Sequence, residues 1–595
     1  MIEARFDDLT GHEPSFRLVE PAGVLEARRP AEVPEVLAAA EAAAARGLWA
    51  AGAVSYEAAP GLDPALRVRP RDDRGPLAEL PLAWFALFEG RQETMLPEPA
   101  ADVEPADPGA WMPSVDRGVY DAAIDRIHEA IAAGDTYQVN FTLRLLATIT
   151  GDPRGLYRDL CYAQRGAHSA YLDLGRHRVL SASPELFFRI DGGRITTRPM
   201  KGTAPRGRWP EEDERLRDEL RGSVKDRAEN AMIVDLLRND LGRIARDGSV
   251  RWSDVFDAER FETVWQLTST IGADLRPGTT LVDVFRALFP CGSVTGAPKV
   301  RTMELIAELE DSPRGVYCGT VGYLAPAGAP EPRARFNVAI RTVVCDSETG
   351  AAVYGVGGGI TWDSGAGAEY DEVLAKARVL TARRPGFRLL ESLLFDPEHG
   401  YRRLDEHLER LRASAGYFGF DIDEATVRRA LDDAAGRYPD RPAKVRLLLD
   451  RRGRVETGAA PAGPSPEPVR LAIDREDPVD PDDVMLFHKT TLRERYDDAA
   501  ARHLDADDVI LVNDRGEVTE TTRANVAVLL DGRWWTPPLA SGLLAGCERA
   551  ALLRDGTLAE RVITVDELQR ADAIAVLSSV RPWREAVVVE PALES

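Results

Sequence analysis

At 595 residues the chain is too long for one ordinary domain, and about two to four are expected. Apolar content of 44%, charged content of 29% and a net charge of −23 are those of a soluble globular protein and argue against a general nucleic-acid binder. No apolar run approaches the roughly 18 residues of a membrane span, the start MIEARFDDLTGHEPSF lacks a signal peptide's basic end and apolar core, and five scattered cysteines without C-x-x-C spacing read as reduced thiols of a cytoplasmic protein without zinc.

Up to about residue 110 the chain alternates strand-like pieces with an Ala-rich helix, Ala31 to Arg46, and shows no catalytic constellation. Pro, Asp and Glu crowd between Leu96 and Pro113, which reads as a loop. Apolar spacing at Ala123, Ile124, Ile127 and Ile131 predicts a helix over Tyr120–Ala133, capped by Gly134 and followed by a strand over Tyr137–Leu145. SASPELFFR, Ser181–Arg189, reads as a core strand with its turn. An alternating run from Leu186 to Thr197 leads into RPMKGTAPRG, Arg198–Gly207, where a turn at a strand end presents the amine of Lys201 beside small residues that leave room for a ligand.

Lys225–Ile244 is a helix by its apolar positions, and Asp226 and Glu229, three apart, share one of its faces. Glu369 and Glu372 repeat that spacing at the start of a later helix, after the glycine-rich run beginning at Gly355. Taken singly, each pair is an ordinary solvated first turn. Together they suit a hard cation held by one or two carboxylates and completed by water and substrate, as Mg²⁺ commonly is. Between them, Phe261–Ile271 is strand-like and carries Gln266. Phe289–Ile306 is a Gly/Ser/Thr loop entering a helix, where backbone N–H groups and the hydroxyls of Ser293 and Thr295 suit an anion. RGVYCGTVGYL and FNVAIRT supply Tyr317 and Arg341; a guanidinium can grip a carboxylate in a fork. Gly359 permits close approach of the backbone.

In this order the motifs, over roughly Tyr120–Leu380, resemble the chorismate-utilising family of anthranilate synthase large subunits, isochorismate synthases and para-aminobenzoate synthase component I. The resemblance implies an anthranilate synthase component I-like β-sandwich with helices. A lysine between the Pro-Met pair and Gly-Thr marks the para-aminobenzoate branch, where the anthranilate branch usually has alanine. It implies amination of chorismate to 4-amino-4-deoxychorismate: Lys201 adds to the ring and expels the hydroxyl through the conjugated double bonds, and ammonia then displaces the lysine. It further implies Glu229 and Glu372 as direct Mg²⁺ ligands, Asp226 and Glu369 acting through water, and Tyr317, Arg341 and Gly359 on the pyruvyl carboxylate. Gln266 stands where relatives making anthranilate or isochorismate often carry His, and is a hydrogen-bonding candidate. With no glutaminase segment in view, a separate glutamine amidotransferase subunit is expected to supply ammonia.

Arg383-Arg384-Pro385-Gly386 reads as a joint between a domain at 1–384 and another at 387–595. After it come a strand, Phe387–Asp396, an amphipathic helix, Leu404–Phe420, and a strand, Val445–Asp450, entered through Lys444 as a solvated flank. Ala, Pro and Gly over about 456–469 read as an internal linker. Lys489 sits in a Lys-Thr-Thr setting after an apolar segment, and Asp508–Leu530 reads as strand, turn, strand with Glu520 on the second. Ser541–Leu553 is a Gly-rich loop opening a helix, and Val576–Arg581 is a strand with paired hydroxyls.

This order resembles the fold-type IV pyridoxal-phosphate enzymes: branched-chain and D-amino-acid aminotransferases and 4-amino-4-deoxychorismate lyase. It implies a D-amino-acid aminotransferase-like second domain and an α+β chain. Lys489 would hold pyridoxal 5'-phosphate and move the proton, and Glu520 would keep the pyridine nitrogen protonated. Gly546 and Cys547 would offer N–H groups to the phosphate, with Arg410, Asn525, Ser578 and Ser579 as further members of the cup. The tyrosine expected five residues after the lysine is replaced by Glu494, with Tyr496 two later, which points toward the lyases. Together the resemblances imply para-aminobenzoate synthesis from chorismate and ammonia, with Mg²⁺ and pyridoxal phosphate, and a homodimer formed through the second domain. An anthranilate-type synthase fused to a transaminase, and a silent second half, are the rival readings.

Overall fold

The computed structural model describes residues 2–71, 75–96, 110–381, 386–463 and 467–589; residues 97–109, within the loop expected before Pro113, and 383–385 of the expected joint lie outside them. Two compact units result, Met1–Arg206 with Arg217–Gly386, and Gly207–Leu216 with Phe387–Ser595. Among the described residues no helix is long and apolar enough to cross a membrane.

The first unit is built on a sheet of eighteen strands. Alternation explains how this sheet serves several cores. In the strand Trp49–Val54, Ala50 and Val54 point into one apolar cluster, and Trp49, Ala51 and Ala53 into another, so every residue is buried. A ladder without a register shift pairs Ala351–Ile360 with Gln138–Thr148 and sets the glycines 357–359 opposite Asn140 to Thr142. The expected helix before it runs Arg117–Ala132, capped by the Asp116 side chain, and Gly134 follows at φ +80. The alternating run after Leu186 is a hairpin, Leu186–Asp191 with Arg194–Arg198, turning on Gly192 and Gly193, both at positive φ.

Lys201 departs from its expected place in a turn. It lies inside the strand Met200–Pro205, where the register against Val264–Asp274 shifts between Met200 and Thr203. A bulge of this kind re-aims a side chain. Gly202 makes it possible: φ is +89, and a Cβ there would sit 2.9 Å from the Cβ of Asp226.

The second unit has a four-stranded antiparallel sheet, Leu389–Asp396 at its centre, backed by the helices Leu404–Phe418 and Glu424–Ala435. It also has an eight-stranded mixed sheet in which Val469–Val479 pairs in parallel with Asp508–Asn513 and Arg584–Val588. The expected linker begins as a strand: Val455–Pro461 pairs along the whole of Ala443–Leu449. Ala and Gly fit there because the strand is an exposed edge. Lys444 lies within its strand and not in the flank expected for it, and the paired serines follow the strand Ala573–Leu577 in a turn. The segment Gly207–Leu216 packs with this unit, against the single boundary expected near 384. The Gly207 carbonyl accepts from the Tyr417 hydroxyl at 2.7 Å, the Trp209 ring lies 5.2 Å from Phe487, and Arg208 pairs with Asp482 at 2.9 Å.

Candidate active sites

A cavity of about 310 Å³ in the first unit gathers Lys201, Asp226, Glu229, Gln266, Ser293, Tyr317, Arg341, Gly359, Glu369 and Glu372. The bulge brings Lys201 to it. The helix Val224–Gly242, capped by Ser223, buries Ile233, Val234, Leu237 and Leu241 and leaves Asp226 and Glu229 facing the cavity. The helix Ala366–Ala377 supplies Glu369 and Glu372. Burial holds the Lys201 amine below its ordinary pKa, opposed by Glu229 and Glu185. Gln266 Nε2 donates to the Thr203 hydroxyl at 2.9 Å. The Tyr317 ring is packed against Gly355, where a Cβ would fall 2.1 Å from it, and lies under the Arg144 guanidinium. Arg341 reaches the cavity at φ +52 and donates to the carbonyl of Lys376. A Cβ at Gly359 would lie 2.0 Å from Gln138 Nε2 and 3.0 Å from Lys201 Nζ, so only glycine leaves this wall open.

Thr295 is not brought in. Its buried hydroxyl donates to the carbonyls of Cys291 and Gly292, both at 3.3 Å, so it closes its own turn. Three residues of this site escaped the sequence reading. Glu185, in SASPELFFR, is 3% exposed and lines the cavity, and burial pushes its carboxyl up to about 7, against a bond from Ser293 and the charge of Lys201. Its Oε1 has no partner among the described residues, nor have Nε2 and Oε1 of buried Gln138. Asn230 donates to the Lys201 carbonyl at 3.4 Å and to that of Leu267 at 3.3 Å, pinning the bulge. Motif order alone pointed at the right segments, but not at these side chains.

The four carboxylates expected to serve a cation share the cavity, yet among the described residues no group of three metal-ligating side chains is drawn together. Glu372 is ion-paired with Lys376 at 2.7 Å. Burial pushes the Glu229 carboxyl up; the charges of Lys201 and Lys225 oppose this, and those of Asp226 and Glu369 add to it. A crowded, desolvated carboxylate of this kind fits a hard cation, which would relieve the repulsion.

A second cavity, of about 660 Å³, lies in the second unit and gathers Lys489, Glu520, Arg410, Asn525, Gly546, Cys547, Ser578 and Ser579. Burial, reinforced by Arg410, lowers the Lys489 amine to about 8. Burial raises the Glu520 carboxyl to about 7, and it accepts from the Tyr496 hydroxyl at 3.1 Å and from Asn525 Nδ2 at 3.3 Å. Tyr496 thus reaches the site from the helix Glu494–Arg502, although its spacing from the lysine departs from the expected one. Gly546 caps the helix Cys547–Arg554, and a Cβ on it would lie 1.9 Å from Asn525 Oδ1. Arg410 is fixed by Glu391 at 2.7 and 2.9 Å and donates to the Ala545 carbonyl at 3.0 Å. His407 holds the same carboxylate at 2.6 Å. That Glu391–His407 support was not singled out in the sequence. A depressed lysine amine, a helix start that only glycine fits and a buried carboxyl suit pyridoxal phosphate.

The family model described as chorismate binding enzyme matches residues 8–382. The chain belongs to the chorismate-binding enzymes. Beyond that region, the model described as amino-transferase class IV matches residues 388–588, and the second unit is a class IV aminotransferase domain. The chorismate-binding region is similar to aminodeoxychorismate synthase component 1 of Klebsiella aerogenes, with 44% identity over 267 residues, 45% of this chain and 58% of that protein. It is also similar to anthranilate synthase component 1 of Streptomyces coelicolor, with 41% identity over 303 residues, 50% of this chain and 57% of that protein. The chain thus spans little more than half the length of these relatives. Among solved structures, anthranilate synthase component I from Streptococcus pneumoniae TIGR4 aligns with a TM-score of 0.52 and 26% identity, over 62% of this chain and 93% of that one.

Proposed function

We propose that the chain makes para-aminobenzoate in two reactions, amination of chorismate to 4-amino-4-deoxychorismate in the first cavity and elimination of pyruvate from that product in the second. The observation that carries the reading is Lys201: a desolvated amine in a bulge, facing a carboxyl held near neutrality, in a chorismate-binding enzyme. The Lys201 amine, whose neutral form burial favours, bonds to the ring carbon at the far end of the diene from the hydroxyl-bearing carbon. The double bonds shift and the C–O bond breaks. Glu185, protonated in part at neutral pH, gives its proton to the departing oxygen, which leaves as water. The surplus proton on the Lys201 nitrogen returns to Glu185; ammonia then bonds at the carbon that carried the hydroxyl, the double bonds shift back, and Lys201 leaves as the amine, taking up the proton that ammonia sheds. Arg341 and Tyr317 hold the pyruvyl carboxylate. Glu229 and Glu372, with Asp226 and Glu369 behind water, would hold Mg²⁺, which polarises the ring carboxylate.

In the second cavity, pyridoxal phosphate supplies an electron sink for the carbon that bears the amine. Glu520 would hold a proton at the pyridine nitrogen, and the Gly546 and Cys547 amides with Arg410, Asn525 and the serines, which line the same cavity, would seat the phosphate. Lys489, with an amine near 8, takes the proton from the amine-bearing carbon. Relatives named as component 1 support a separate glutamine amidotransferase as the ammonia source. A homodimer through the second domain and a cytoplasmic setting, consistent with five buried free cysteines, complete the reading.

The test is incubation of purified protein with chorismate, ammonium, Mg²⁺ and pyridoxal phosphate. Para-aminobenzoate and pyruvate in equal amounts are expected. An ortho-amino product, or amino exchange with 2-oxoglutarate, would overturn the reading.

A further inference from the structure

The second cavity has a rim that this chemistry leaves unused. Lys444, Arg446, Arg493, Arg523 and Arg581 all line it, and they come from separate parts of the fold. Lys444 and Arg446 are two apart on the strand Ala443–Leu449 and so share a face. Arg523 follows the strand Val518–Thr521, Arg581 ends the turn after Ala573–Leu577, and Arg493 precedes the helix Glu494–Arg502. All but Arg493 are exposed.

The chain carries 98 acidic side chains against 75 basic ones, so a basic side chain has acids to spare. Among the described residues none of these five forms an ion pair. Three of the four acids on the same wall are engaged elsewhere, and the fourth, the exposed Asp497, forms no ion pair with these five among the described residues. Asp508 accepts from the hydroxyls of Thr521 and Thr522 at 2.7 and 2.5 Å, Asp507 from the Arg470 amide at 2.9 Å, and Glu520 from Tyr496. Besides partial burial, the largest charges acting on Lys444 are those of Arg581, Arg523, Arg446 and Arg493, all of its own sign. Like charges gathered without a counter-ion raise the energy of the empty rim and reward an anion that enters. The cofactor phosphate does not account for them, because Arg410 and the Gly546 helix start would serve it.

We propose that Lys444, Arg523 and Arg581, flanked by Arg446 and Arg493, are a carboxylate-binding rim that selects a small substrate carrying two carboxylates over one carrying a single carboxylate. The proposal rests on reading this cavity as the site that consumes 4-amino-4-deoxychorismate. A ring carboxylate and a second carboxylate borne on the leaving side chain need two separate forks, and the rim supplies cations from several directions.

The test titrates the pyridoxal-phosphate-loaded full chain with benzene-1,3-dicarboxylate and with benzoate by calorimetry. The dicarboxylate is expected to bind at least about tenfold tighter, with a margin that shrinks as salt screens the exposed charges. In the K444Q/R523Q/R581Q variant that margin should fall to about twofold or less, while the absorption band of bound cofactor persists. These three side chains are exposed, so the substitutions spare the core; Arg493 is left intact because it bonds the Thr522 carbonyl. Equal affinities in the unaltered protein, or an undiminished margin in the variant, would overturn the proposal. Failure of the unaltered protein to develop the cofactor band would instead sink the pyridoxal reading, and the affinity ratio from the same samples would still decide the rim.

Discussion

Lys201 and Lys489 are both partly buried amines whose basicity desolvation lowers, but their surroundings pull in opposite directions. Around Lys201 the carboxylates of Glu229 and Glu185 oppose the lowering. Around Lys489 the guanidinium of Arg410 adds to it, and the amine rests near 8. The contrast matches the two tasks proposed for these amines. An amine that must expel a hydroxyl needs acids beside it, to protonate the oxygen and to hold a cation. An amine that must work beside a phosphate and take up a proton needs cations near it. The same side chain is set for either by what the fold packs around it.

The sharpest way to break this comparison is to remove one amine at a time. Lys201→Ala should cut 4-amino-4-deoxychorismate formation by at least about a thousandfold while leaving the cofactor band intact. Chromatographic detection of the intermediate decides it, and full activity would end the covalent reading. Lys489→Ala should do the converse: the aminated intermediate accumulates and pyruvate release falls to background, read by a coupled pyruvate assay.

Glu185→Gln sharpens the acid side. General-acid contributions run to roughly 10²–10⁴-fold, and a loss in that range is expected in the first reaction. With its carboxyl at about 7, the proton donor is present below that pH and lost above it, so the first reaction should decline as pH rises through 7. The glutamine variant should lack that limb in a pH–rate profile. Gly546→Ala, whose Cβ would press on Asn525 Oδ1, should weaken cofactor retention by roughly tenfold, measured by equilibrium dialysis, with the first reaction untouched.

The smallest effect concerns stability. Burial opposes protonation of His407, but Glu391 outweighs it and raises the imidazole to about 9. The protonated form is thus favoured by folding. Its contribution is full below the ordinary histidine value of about 6.5 and is lost as pH rises through 9. His407→Gln should therefore lower the melting temperature more at about pH 6 than at about pH 9.5, as scanning calorimetry would show.

Much of both candidate sites was legible because each lysine proposed to act keeps company in a fixed order along the chain. Asp226 with Glu229, and Glu369 with Glu372, could be placed on helix faces by spacing alone. What spacing could not give was depth. Glu185 sits in a segment whose apolar neighbours read as plain core, and nothing local says that its carboxyl ends beside Lys201. Thr295 looks like Ser293 in sequence, but its hydroxyl turns back onto its own loop. Tyr496 reaches Glu520 because a helical start carries it there. Composition misled at Val455–Pro461, where Ala and Gly are tolerated on an edge strand. Lys444 read as solvated, and its exposure bears that out; its like-charged neighbours come from turns far away in sequence.

The stretch Gly207–Leu216 has a practical consequence for anyone who wishes to study the halves apart. A truncation beginning at Phe387 would strip Trp209 from the face of Phe487 and take away the carbonyl that receives the Tyr417 hydroxyl. The excised class IV piece would therefore start life with a hole in its own wall. Inactivating one half by point substitution, in the intact polypeptide, is the cleaner dissection.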